Sequence, residues 1–216
     1  MRIFLDTANI EEIKRCIGTG SISGVTTNPS IISREKKPLK RCVDDIKNIN
    51  SDLTILVEAI SNDSAGMAGE AREFAKMGTD IVVKLPMTPE GLKATRILSK
   101  EGISTAVTLV FSLNQAIAAS CAGANYVAPF VGRLDDINMD GLFLVSSIKD
   151  TFTIQGAKTK VIAASIRTPQ SVSMLFKVGC DIVTMPGSVF EAMLVHPLTD
   201  AGLKKFEEDW RKVPHI

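Results

Sequence analysis

Short apolar runs recur along this chain, and each is followed by a stretch with helical spacing. The runs are 3–7 (IFLDT), 24–28 (GVTTN), 54–60 (TILVEAI), 80–86 (DIVVKLP), 105–111 (TAVTLVF), 126–132 (YVAPFVG), 160–166 (KVIAASI) and 181–186 (DIVTMP). Most are rich in Val and Ile and nearly continuous in apolar residues. Strands buried on both faces have this pattern, as in a parallel sheet covered by helices. Helical patterns fill the gaps at 9–17, 63–77, 88–100, 112–122, 142–152, 168–178 and 201–212. Several open on a capping residue: Asn9 with Glu11 and Glu12 in the first turn, Asp63, and Thr88 and Thr168 with Pro next. Several stop at glycine: Gly78, Gly102, Gly123 and Gly179.

Strand and helix thus alternate along the whole chain, at roughly 25 residues per unit, the size of a compact βα unit. Eight units predict a closed (β/α)₈ TIM barrel over 1–216, with an added C-terminal helix near 199–212. The alternative is an open doubly wound sheet, which usually carries a phosphate loop after its first strand. Here that strand runs into Asp6-Thr7-Ala8-Asn9, and no G-x-x-x-x-G-K-[ST] is present. The Gly-spaced segment from Gly18 to Gly24 leads into a strand instead of leaving one, so it is expected to be a helix stop and turn. No linker or low-complexity tract divides the chain, which favours one domain.

Composition narrows the function. Apolar residues make up 45% and charged residues 23% of 216, which excludes a disordered chain and suffices for a sizeable core. Lys and Arg number 25 against 24 Asp and Glu. There is no global basic field for nucleic acid or an anionic membrane, so an anionic ligand must be held by local charges. Cys16, Cys42, Cys121 and Cys180 form no C-x-x-C pair, and His196 and His215 are too few for a histidine metal cluster, so no metal or cofactor is expected. No apolar stretch approaches the ~18 residues of a membrane helix, and Asp6 interrupts the N-terminal run too early for a signal peptide. The expected location is the cytoplasm.

In a barrel the active site lies where strands end and βα loops begin. Asp6, Thr26, Thr27, Asn28, Glu58, Lys84, Thr108, Arg133, Ser165 and Arg167 all fall at or near such ends. Lys84 interrupts a run that should be buried. Burial disfavours a charged amine, and a neutral amine attacks a carbonyl to form a Schiff base. The alternative is a buried ion pair with Glu58 or Asp6 that only fixes register, and the residues leave both open. Glu58 and Asp6 are the candidate proton carriers. Asp6 could instead cap the following helix. Arg133, Ser165 and Arg167 suggest a phosphate site, since guanidinium groups bind phosphate bidentately. Each Arg could instead pair with Asp135 or Asp136. His196 is a weak candidate for a Ser-His-Asp triad.

These residues sit in segments with a wider likeness. FLDTANIEEI, GVTTNPSII, VVKLPMTPEGLKA, VTLVFSLNQA, YVAPFVGRLDDI, VIAASIRTPQSV and HPLTDAGLKKFEEDW together resemble the small-subunit transaldolases, the branch that also contains the fructose-6-phosphate aldolases. The resemblance covers nearly the whole chain. It implies a (β/α)₈ barrel and metal-free class I aldol chemistry on sugar phosphates. Lys84 would be the Schiff-base nucleophile. Asp6 would take the proton of the C4 hydroxyl as the C3–C4 bond breaks. Glu58, with Thr108 holding a water, would shuttle protons. Thr26 and Asn28 would contact donor hydroxyls, and Arg133, Ser165 and Arg167 would bind phosphate.

The aldolases of this branch typically carry Gln where Glu58 stands and Tyr where Phe130 stands, so these two positions point to transaldolase. Ala106 and Ala128 point the other way, because transaldolases usually have Asn and often Ser there. Fructose-6-phosphate aldolase is the alternative activity, and a non-catalytic sugar-phosphate-binding barrel the alternative of another class. Members of the branch form pentamers, commonly paired into decamers, with the C-terminal helix on a neighbouring subunit. Leu203, Phe206 and Trp210 form one stripe of that helix. The stripe could equally pack on its own barrel.

Overall fold

The computed structural model describes residues 1–214. Its strands are β1 (Arg2–Asp6), β2 (Ile22–Thr26), β3 (Thr54–Glu58), β4 (Ile81–Pro86), β5 (Thr105–Val110), β6 (Tyr126–Pro129), β7 (Lys160–Ala163) and β8 (Ile182–Met185). They pair in parallel, each with the next, and β8 closes on β1. The helices in chain order are α1 (Ile10–Ile17), α2 (Pro29–Glu35), α3 (Leu39–Ile49), α4 (Ser64–Ala75), α5 (Pro89–Lys100) and α6 (Leu113–Ala122). They continue with α7 (Val131–Asp135), α8 (Gly141–Ile154), α9 (Pro169–Lys177), α10 (Gly187–Met193) and α11 (Pro197–Trp210). The architecture is the TIM barrel that the alternation predicts.

Successive strand residues face opposite sides, and this sorts the chain into two cores. Leu5, Val25, Ile55, Val83, Val107, Val127, Val161 and Val183 face out and pack against the helices. Phe4, Leu56, Val82, Ala106, Ala128, Ile162 and Ile182 face in and form a separate cluster that fills the barrel. Gly24 belongs to the inner layer too. A Cβ there would lie 2.5 Å from Phe4 Cε1, so the Phe4 ring occupies the space of the missing side chain. The inside of the barrel is therefore packed, and a ligand has to bind above it.

Several expected boundaries move. β2 covers Ile22–Thr26, not 24–28, because Asn28 is the N-cap of α2, its side chain accepting from the Ile31 N–H. Gly18 caps α1 and Gly20 (φ 74°) makes the expected turn, but Gly24 lies inside β2. The run 126–132 splits into β6 and α7 at Phe130. The run 160–166 ends as a strand at Ala163, and Ser165 takes a left-handed φ of 62°. Helices α2, α3, α7 and α10 were not expected. α2, α7 and α10 begin two or three positions after a strand end, and the expected strand run 126–132 covers the first residues of α7.

Helix α11 starts at Pro197 rather than near 199–201, with His196 as its N-cap; His196 Nδ1 accepts from the Leu198 N–H, a structural role on the surface. The stripe on α11 does not pack on its own barrel: Leu203, Phe206 and Trp210 are 63%, 72% and 66% exposed. His215 lies outside the described residues. Among the described residues no helix is long and apolar enough to cross a membrane.

Candidate active site

Strand alternation assembles the site. Two residues beyond the inner apolar layer, on the same face, the strands carry polar groups. Phe4 leads to Asp6, Gly24 to Thr26, Leu56 to Glu58, Val82 to Lys84, Ala106 to Thr108 and Ile182 to Thr184. These groups ring the C-terminal mouth of the barrel. Above them lies an outer bowl of about 620 Å³, lined by Asp6, Asn28, Arg34, Glu58, Lys84 and Arg133 among others. Below it an inner chamber of about 140 Å³ reaches Thr26, Thr108, Ala128, Ser165 and Thr184.

Lys84 is 6% exposed and makes two contacts. Its Nζ donates to Glu58 Oε2 at 2.9 Å and to the Thr27 carbonyl at 2.8 Å. Register explains the first: Glu58 and Lys84 are direct neighbours across β3 and β4. The ion pair open from the sequence is thus formed with Glu58 and not with Asp6. Both partners line the bowl, so the pair borders the cavity as well as joining β3 to β4.

Asp6 does not cap α1; Asn9 does. The Asp6 carboxyl accepts from Thr26 Oγ1 at 2.7 Å. Burial pushes the carboxyl above its ordinary range, and the Glu58 charge adds to this. The Thr26 hydrogen bond and the Lys84 and Arg34 charges pull the other way.

Thr108 is 1% exposed, and its Oγ1 has no protein partner. An unpaired buried hydroxyl costs about 1–3 kcal/mol, so its place on the chamber wall marks a point where a small polar molecule would be held. The next residue, Leu109, has φ 60° and sits at a register shift between Thr108 and Val110, which turns Leu109 out to the bowl.

The expected phosphate trio is only partly brought together. Arg133, on α7, lines both spaces, lies 5.5 Å from the centre of the Phe130 ring and has no ion-pair partner among the described residues. Ser165 lines the chamber. Arg167 lines neither. Both of its terminal nitrogens bind the Asp136 carboxylate, the salt bridge that was the alternative from sequence. Phe130 lines both spaces and meets Phe111 edge-on at 5.8 Å. Asn28 lines both as well, besides capping α2.

The chain from 3 to 215 matches the family model described as Transaldolase/Fructose-6-phosphate aldolase. The protein belongs to this family. Among similar curated proteins, one from Thermoanaerobacter sp. (strain X514) is 53% identical over 212 residues, 98% of each chain, and is named probable transaldolase. Proteins of the same name from Methanococcus maripaludis (50% over 210 residues, 97% of each chain) and Aquifex aeolicus (50% over 214, covering 99% and 98%) are similarly related. Thiamine phosphate pyrophosphorylase from Pyrococcus furiosus shares the fold, with a TM-score of 0.58 over 85% of each chain at 16% identity.

Two residues of the site escape a reading by sequence. Thr184 hides in an apolar run, but it stands two places after an inward Ile, as Thr26 does after Gly24 and Thr108 after Ala106. Applied to all eight strands, that spacing would have found it. Arg34 is on α2, which was not expected to be a helix.

Proposed function

We propose that this chain is a transaldolase that moves a dihydroxyacetone unit from a ketose phosphate, such as fructose 6-phosphate or sedoheptulose 7-phosphate, to an aldose phosphate. The Lys84–Glu58 contact at 2.9 Å, on the same cavity as Asp6, carries this reading. Glu58 takes a proton from the Lys84 ammonium, and the amine adds to the keto carbon. Loss of water, with Glu58 and a water at Thr108 carrying protons, gives the imine. The Asp6 carboxylate accepts the C4 hydroxyl proton, the C3–C4 electron pair flows into the iminium, and the aldose phosphate leaves. The enamine on Lys84 then adds to an acceptor aldehyde by the reverse steps. Phe130 has no hydroxyl to protonate the enamine, so it waits for an acceptor. Thr26 and Asn28 would orient the donor hydroxyls.

The test is borohydride reduction in the presence of fructose 6-phosphate, followed by peptide mass spectrometry. Added mass on the Lys84 peptide supports the proposal; an unmodified peptide rejects the covalent route. Rapid cleavage of fructose 6-phosphate without an acceptor aldehyde would assign the chain to the aldolase activity instead.

Asp6 acts as a base only when ionised. Its carboxyl is raised by burial, so the acid limb of kcat should lie above the ordinary carboxylate range, with activity lost as pH falls through it. A pH–rate profile checks the position, and Asp6→Asn should remove turnover.

Arg133 has no ion-pair partner among the described residues, while Arg167 is held by Asp136. Arg133→Leu should therefore raise the KM for fructose 6-phosphate more, by roughly 10- to 100-fold for the loss of a charge-assisted pair. Arg167→Leu should raise it less, because part of that charge is already neutralised. Steady-state kinetics of both variants decides the order.

Leu198, Leu203, Phe206 and Trp210 leave α11 with a large exposed apolar face. We assign this face to a second copy of the chain in a pentamer or decamer, and Phe206→Glu should shift the sedimentation velocity toward monomer. The cysteines are all free, as suits a cytoplasmic enzyme.

A further inference from the structure

Thr184 lies on β8, across the barrel mouth from the lysine, and its side chain is 2% exposed. Its Oγ1 is 2.6 Å from Thr26 Oγ1, which in turn is 2.7 Å from Asp6 Oδ1. Each hydroxyl has one proton to give. When Asp6 is ionised, Thr26 must spend its proton on Oδ1. Thr26 can then only accept from Thr184, and Thr184 must be the donor. The direction of the chain is set: Thr184 to Thr26 to Asp6. No described residue donates to Asp6 Oδ2.

We propose that Thr184 is a positioning residue: acting through Thr26, it commits Asp6 Oδ1 to accepting a fixed hydrogen bond and leaves Oδ2 as the oxygen that takes and returns the substrate proton. The inference deepens the proposed reaction and rests on Asp6 being its proton carrier. In the step itself the C4 O–H proton passes to Oδ2. The O–H electron pair becomes the carbonyl π bond of the leaving aldose, and the C3–C4 pair enters the iminium. Because Oδ1 already accepts from Thr26, the carboxyl cannot place the proton on the wrong oxygen without reversing two hydroxyls.

The charged groups around Asp6 are Lys84 on β4, Glu58 on β3, Arg34 and Glu35 on α2, Glu12 on α1 and Arg133 on α7. None of them lies on β8, so a change at Thr184 alters no charge near Asp6. An effect on the Asp6 titration would travel through the hydroxyl chain. Removing the Thr184 donor weakens the Thr26 bond to the carboxylate, disfavours the ionised form and raises the pH at which Asp6 becomes a base.

The experiment is a pH–rate profile on the intact enzyme with fructose 6-phosphate and erythrose 4-phosphate. Thr184→Val keeps the volume and removes the hydroxyl. We expect kcat to fall about 5- to 10-fold, KM to stay within about twofold, and the acid limb to move up by about half a pH unit. Thr184→Ser should restore all three. If the Val variant does not fold, Thr184→Cys, a weaker donor of similar size, should show the same shift in part. An unchanged limb in Thr184→Val, or a Ser variant as impaired as Val, overturns the inference. Asp6→Asn is the control for the reaction itself: if it keeps wild-type turnover, Asp6 is not the proton carrier and the proposed mechanism fails independently.

Discussion

Lys84→Met should lower transaldolase turnover by at least about 10⁴-fold, the scale expected when the covalent nucleophile is lost and the groups around it act as one unit. The same variant should take up no mass on borohydride treatment. Its stability should fall by only about 1–3 kcal/mol, because Glu58 and the Thr27 carbonyl lose a donor but Glu58 borders the bowl and can be hydrated. Glu58→Gln in the Lys84→Met background should recover part of that loss, since it removes the carboxylate left unpaired. A binding-only barrel predicts something different: wild type and Lys84→Met alike would be inactive in the coupled assay with erythrose 4-phosphate. Wild-type activity together with appreciable turnover by Lys84→Met would mean that another group forms the covalent bond, or that none does.

Gly132→Ala should destabilise the fold and damage the Arg133 side of the site together. A Cβ at Gly132 would overlap the Ser165 backbone carbonyl and come within 3.2 Å of Ser165 Oγ and 3.1 Å of Arg167 Nε. The carbonyl cannot rotate away as a side chain can, so α7 must move off the segment that follows β7 and take Arg133 with it. Overpacking of this kind costs up to about 3 kcal/mol. At about 2–4 °C per kcal/mol for a chain of this length, a cost of about 1–3 kcal/mol should lower Tm by roughly 2–12 °C. The KM for fructose 6-phosphate should rise about tenfold, with kcat less affected, because the chemical groups on β1, β3 and β4 stay in place. Gly69→Ala is the matched control. It lies inside α4 with no atom within 4 Å of the added carbon, and it should stabilise by about 0.5–1 kcal/mol. Equal melting temperatures for wild type and Gly132→Ala would show that α7 has room to spare.

The barrel was legible because each of its units repeats one local pattern. Val- and Ile-rich runs cannot be solvated on either face, and capped amphipathic stretches between them cover the sheet. Asp63, Thr88 and Thr168 cap their helices as expected, each accepting from the N–H three residues on. The short helices were not legible for the opposite reason. α7 has five residues and no side-chain cap, and it continues an apolar run that begins as β6. Nothing local distinguishes its first residues from one more turn of strand. Tertiary contacts fix the turn: the Phe130 and Val131 N–H groups donate to the Val110 and Ala164 carbonyls, and Gly132 lies against Ser165 with no room for a Cβ.

The site divides along the same line. Lys84, Glu58, Asp6 and Thr108 stand out in the chain as polar residues breaking apolar runs, because a polar group in such a place needs a partner or a task, and the structure brings them to one cavity mouth. Which of them pair could not be read. Lys84 chooses Glu58 over Asp6 because β3 and β4 are neighbours in register, whereas Asp6 sits on β1 beside Thr26 of β2. Arg133 and Arg167 look alike in the chain, yet one faces the cavity and the other is clamped by Asp136, thirty-one residues away. The amino-acid order dictates the eight strands, the longer helices and the polar groups at the strand ends, since these follow from spacing and solvation within a few residues. Partnership depends on which distant segments meet: the Thr184–Thr26–Asp6 chain requires β8 to close against β1, which joins groups 158 residues apart that no local rule connects, and the Arg167–Asp136 pair requires α7 to lie beside the segment that follows β7.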